Sequence, residues 1–122
     1  RQMCIRDRQI LYKNATAKKQ FCSKYKKKWR YPEQVKKKLE SAENFIHNAE
    51  SLMDVASYPP FHFERLKGDR KDGWSIRLGN TGYRVTMFPC DNDGNEITEG
   101  DVLAQCRMIK IVKVTEVSNH YE

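Results

Sequence analysis

Side chains able to hold a polyanion or move a proton fall at two places in this chain. The run 66–87 carries Lys67, Arg70, Lys71, Arg77 and Arg84 on and around two short alternating segments. The close of the sequence places His120 and Tyr121 just beyond a β-branched stretch. Arginine suits phosphate because its guanidinium is always charged and donates in a planar fork. Histidine, with an ordinary pKa of about 6.5, exchanges protons near neutrality, whereas tyrosine, at about 10, needs nearby cations to favour its phenolate.

The elements that must position these groups follow from the pattern. Segments 73–78 and 83–88 alternate with period two and are separated by Gly79-Asn80-Thr81-Gly82, whose glycines allow the positive φ of a tight connection. In the first segment Trp74, Ile76 and Leu78 share one face and Ser75 and Arg77 the other; in the second, Tyr83, Val85 and Met87 oppose Arg84, Thr86 and Phe88. If the apolar faces meet one core, Arg77 and Arg84 stand on the open face. Residues 61–66 alternate like a strand leading into this hairpin, and Glu64 on it is either a carboxylate base or the partner of Arg65 or Lys67.

Residues 9–13 read as a short strand, with Asn14 placed to cap a helix over 15–28. Eleven Lys or Arg stand between Lys13 and Lys38 against Glu33 alone, a face that either is simply solvated or contacts phosphate. A second helix begins at Pro32, with Val35, Leu39, Ala42, Phe45, Ile46, Ala49, Leu52, Met53 and Ala56 recurring at spacings of three and four, and Tyr58-Pro59-Pro60 ends it. Residues 90–96 superficially suggest a calcium loop, but Glu96 and Val102 stand where such a loop needs Gly and Glu, so the stretch is expected to be a hairpin connection. Residues 106–117 read as a long central strand. The expected fold is α+β: an N-terminal strand, a two-helix hairpin, then an antiparallel sheet of about four strands.

The 122 residues suit one domain, and a formal charge of +7 points to an acidic partner, nucleic acid before an anionic membrane. No apolar run approaches the roughly 20 residues of a membrane span, and no signal-peptide core is present, so a cytoplasmic protein is expected. Cys4, Cys22, Cys90 and Cys106 form no C-x-x-C pair, which points to reduced thiols without a metal or other cofactor. Residues 1–8 resemble the translation of a sequencing-library adaptor and are set aside, leaving a single domain over 9–122.

The order of elements, together with Leu66-Lys67-Gly68-Asp69-Arg70-Lys71, Gly82-Tyr83-Arg84 and Ser118-Asn119-His120-Tyr121, resembles the RelE/HigB family of bacterial toxins over residues 9–122. The resemblance implies a microbial-ribonuclease-like fold, a ribosome-dependent endoribonuclease (mRNA interferase) that cuts mRNA, and a neighbouring antitoxin that neutralises it. It assigns Arg84 to the scissile phosphate, Arg77 to a basic position on the preceding strand, Lys67 and Arg70 to basic positions of the Leu-Lys-Gly-Asp-Arg segment, and Tyr121 to the aromatic or histidine residue near the C-terminus. Two departures stand out. Glu64 occupies the place where many HigB-type relatives carry His, and the C-terminal Asp-Tyr-His appears as Asn119-His120-Tyr121, so His120, Tyr121 and Glu64 are all candidates for the general base. Two other readings compete: a toxin of the same fold that binds a protein such as DNA gyrase, as the ParE branch does, and a non-catalytic RNA-binding module.

Overall fold

The computed structural model describes residues 10–66, 73–98 and 100–119. Residues 1–8, Lys67, Arg70, Lys71, His120 and Tyr121, all singled out from the sequence, lie outside the described residues. The architecture is α+β, with helices packed on one face of a five-stranded sheet ordered β1-β5-β4-β3-β2. Its strands are β1 (Ile10–Tyr12), β2 (Glu64–Arg65), β3 (Trp74–Arg77), β4 (Tyr83–Cys90) and β5 (Ile111–Asn119). The sheet is mixed: β1 runs parallel to β5, and the other neighbours are antiparallel. The expected sheet of about four antiparallel strands is corrected accordingly. Because β1 adds beside the last strand, the sheet joins the two ends of the domain.

The first helix, α1 (Ala15–Phe21), starts where expected, with the Asn14 side chain accepting from the Ala17 N–H at 2.9 Å. It stops seven residues early, at an extended Cys22, and the chain resumes as a 3₁₀ helix over Ser23–Lys28. The reason is tertiary. Ser23 N–H donates to both carboxylate oxygens of buried Glu43, at 3.2 and 3.4 Å, while the indole of Trp29 and the hydroxyl of Tyr31 donate to the exposed carbonyls of Lys19 and Gln20. Three backbone groups around the helix end therefore find side-chain partners.

Helix α2 (Glu33–Asn48) buries Val35, Leu39, Ala42 and Ile46 along one stripe. The expected continuation to Ala56 breaks at Ala49, and Ser51 caps a separate short helix, α3 (Leu52–Ala56). Its first amides are taken by the segment before β5: Leu52 N–H donates to the Ile109 carbonyl at 2.7 Å and Met53 N–H to that of Cys106 at 3.2 Å. That segment begins as α4 (Val102–Gln105), capped by Asp101, so the strand expected from residue 106 starts only at Ile111. Likewise the strand expected over 61–66 shortens to Glu64–Arg65, because Pro59–Phe61 form a 3₁₀ turn. Trp74, Ile76, Leu78, Val85, Met87, Val112, Val114 and Val117 face the helices and form the core with Phe21 and Leu39. No helix among the described residues is long and apolar enough to cross a membrane.

Candidate functional site

The face of the sheet turned away from the helices carries two polar rows. Strand register sets Arg77 directly opposite Arg84, and Arg84 opposite Ser118 of β5. Two residues further along the strands, about 7 Å away, a second row runs Glu64, Ser75, Thr86, Glu116 across four strands. Between these rows and the apolar end of β5 sits a bulge at Thr115, whose hydroxyl donates to the Thr86 carbonyl at 3.2 Å. Bulges of this kind re-aim side chains and frequently lie beside functional sites.

Arg77 is exposed and Arg84 half-buried, and no carboxylate among the described residues forms an ion pair with either. Both line a cavity of about 240 Å³ with Gly79, Asn80, Gly82 and Tyr83. The turn is held by Thr81, whose hydroxyl donates to the Leu78 carbonyl at 2.7 Å and accepts from Tyr83 N–H at 3.2 Å. Tyr83 packs edge-on against Tyr31 at 5.6 Å. Burial, with a smaller contribution from Tyr83, pushes the Tyr31 phenol up to about 12, so it stays neutral.

A third cation joins the pair from α2. A Cβ at Gly79 would stand 2.7 Å from Cε and 3.3 Å from Nζ of Lys38, so the lysine lies across the hairpin tip because Gly79, at φ +63°, has no side chain. Sequence reading noted the lysine-rich run but did not single out Lys38; periodicity alone puts it beside the buried stripe, not over the turn.

The second row supplies hydroxyls and carboxylates. Ser75 and Thr86 are buried, and the Ser75 and Ser118 hydroxyls have no hydrogen-bond partner among the described residues. Glu64 stands half-buried in this row, while Arg65, the partner suggested by sequence, places its guanidinium 5.7 Å from the Trp74 ring centroid. Trp74 itself is a core residue, stacked on Phe63 at 4.7 Å. Elsewhere, the Asp91 carboxylate accepts from the Asp93 and Asn95 amides, as a turn requires. Cys22, Cys90 and Cys106 are free thiols.

Fold and site together define an α+β domain whose sheet face away from the helices carries a cross-strand pair of arginines, with a third cation over the turn and carboxylates and hydroxyls one row away. Comparison with protein-family models and with curated proteins finds no match.

Proposed function

We propose that this domain is the toxin of a bacterial toxin–antitoxin module, an endoribonuclease that cuts mRNA on the translating ribosome in the cytoplasm. The observation that carries the reading is the placement of Arg77 opposite Arg84 on the sheet face turned away from the helices, without a carboxylate partner among the described residues, beside a cavity. Support also comes from the end of β5: Ser118 pairs with Arg84 and Asn119 with Tyr83, and His120 and Tyr121 follow directly in sequence.

In this reaction the RNA supplies its own nucleophile. A base removes the 2′-hydroxyl proton, the 2′-oxygen attacks phosphorus to form a cyclic phosphate, and an acid protonates the departing 5′-oxygen. Arg84 and Arg77 hold the charge that gathers on the phosphoryl oxygens. His120 and Tyr121 are assigned to proton transfer, with Glu64 as the carboxylate alternative for the base. Lys67, Arg70 and Lys71 are assigned to flanking phosphates of the mRNA, and the cognate antitoxin is the expected protein partner.

The test is primer extension on mRNA in a translating extract. Wild-type protein should cut within the reading frame only while ribosomes move, and Arg84→Ala should slow cutting about 100-fold or more. Intact transcripts with the wild type, or wild-type cutting by both Arg77→Ala and Arg84→Ala, would overturn the proposal; inhibited DNA gyrase supercoiling in its place would favour the protein-binding toxin. If Tyr121→Phe and His120→Ala each retain full cleavage, the proton-transfer assignment fails.

A further inference from the structure

A second hollow lies between α2 and the hairpin tip, and of its lining only Arg77 has a role in the reaction above. It encloses about 390 Å³, and its walls include three cations, Lys37, Lys38 and Arg77, and three aromatics, Phe45, Tyr58 and Phe61. Lys37, Lys38 and Phe45 come from one stripe of α2, alongside the buried stripe. Among the described residues, none of the three cations forms an ion pair.

The aromatics form a single stiff cluster. The Phe45 and Tyr58 ring centroids lie 4.6 Å apart, and Phe61 meets both edge-on at 5.1 and 4.8 Å. Phe61 is buried, while Tyr58 remains 40% exposed. The backbone that carries Tyr58 is fixed by Pro59 and Pro60 and by Phe61 N–H donating to the Tyr58 carbonyl at 3.1 Å. An exposed ring fixed in this way can stack on a planar partner at little cost in conformational freedom.

Arg77 also lines the cavity that holds Arg84, so the two hollows meet at one guanidinium. An anionic strand lying over Arg84 and Arg77 would continue into the aromatic groove and find further cations there. We propose that this groove is a nucleotide subsite for single-stranded RNA, in which Tyr58 stacks on a base and Lys37 and Lys38 hold the adjoining phosphates. The inference rests on the reading of the arginine pair as a phosphate site. Alternation of cation and ring suits a nucleotide better than a peptide helix, which needs a continuous apolar trough.

The experiment measures binding of the full chain to uncleavable 2′-O-methyl oligouridylate and to the corresponding dinucleotide, taken as a minimal probe of the arginine pair. Tyr58→Ala should weaken binding of the longer strand by about 10-fold, with Tyr58→Phe close to wild type and the dinucleotide unaffected. Joint replacement of the exposed Lys37 and Lys38 by alanine should flatten the slope of log affinity against log salt by about 1.4, the loss of two single-strand phosphate contacts. If the wild type binds neither probe, the arginine reading and the groove both fall. If it binds both and these variants bind the longer strand as tightly, the groove alone falls. Wild-type RNA binding by the variants with loss of binding to an acidic Glu/Leu peptide would overturn the subsite in favour of a polypeptide occupant.

Discussion

Removing the charge of Arg77 should make the protein more stable while disabling it. Arg77 and Arg84 are direct cross-strand partners, and like charges directly opposite are destabilising. For two unit charges about 7 Å apart, of the order of cross-strand and diagonal spacings, the Coulomb repulsion is about 0.6 kcal/mol at the dielectric of water and about 2.4 kcal/mol at an effective value of about 20. Screening over a Debye length of about 8 Å reduces these to about 0.25 and 1 kcal/mol. Arg77→Gln, which keeps much of the aliphatic stem, should therefore raise Tm by about 1 to 4 °C at physiological ionic strength. In molar salt, where the Debye length is about 3 Å, the gain should nearly vanish. Arg84→Gln should behave similarly, and the double variant should gain less than the sum, because either change alone removes the repulsion. Thermal melts of the four proteins at two salt concentrations supply the cycle. A lower Tm for Arg77→Gln in low salt, or a gain equal in both salts, would refute the electrostatic account of the pair.

Other perturbations probe the supports of the site. Leu39→Ala, at a fully buried position of α2, should cost about 2 to 5 kcal/mol in denaturant unfolding. Gly79→Ala should lower stability by about 1 kcal/mol or more, since its φ is +63°, and should displace Lys38; loss of RNA affinity beyond that of Lys38→Ala would show that the turn itself matters. Stability should also fall with alkali. Burial raises the Cys90 thiol from 9.0 to about 11, and burial raises the Tyr31 phenol from 10.0 to about 12. Both groups lose their protons first in the unfolded chain, so their contribution is complete below the unfolded values and disappears as pH rises through the folded ones. Urea unfolding across that window should show a decline that Cys90→Ala makes shallower.

The hairpin was legible because its signals are local: alternation on either side of Gly79-Asn80-Thr81-Gly82 fixes both strands and places Arg77 and Arg84 on the same face. Helix α2 was legible from spacing for the same reason. What sequence could not show depends on partners distant in the chain. The stop at Cys22 needs the carboxylate of Glu43, and the break before Ser51 needs the carbonyls of Cys106 and Ile109. Neither interruption carries a Gly or Pro to mark it. The late start of β5 follows from the same contacts, since residues 106 and 109 are occupied in holding α3. Lys38 was hidden for a related reason: its place over the hairpin tip is set by how α2 crosses the sheet, which periodicity does not encode.

Local costs fall on both faces of the sheet: the buried Trp74 indole N–H on the core side has no partner among the described residues, and two hydroxyls lack one on the other. Ser75 is only 1% exposed and leaves its hydroxyl unbonded, as does Ser118, where a buried unpaired polar group costs about 1 to 3 kcal/mol. The arginine pair adds its repulsion beside them. The opposite face of the same strands shows the contrary choice, with Ile76, Val85, Met87 and Val117 packed against the helices. Nothing in the alternation of these strands prevents valine at Ser75, which would remove the unbonded hydroxyl, or valine or threonine at Arg77 or Arg84, which would remove the repulsion. On the face turned away from the helices the strands carry hydroxyls, two of them buried with Ser75 and Thr86, and a pair of positive charges, instead of apolar packing. Under the proposed ribonuclease reading, that pair of charges would meet the phosphoryl oxygens of the scissile phosphate ester.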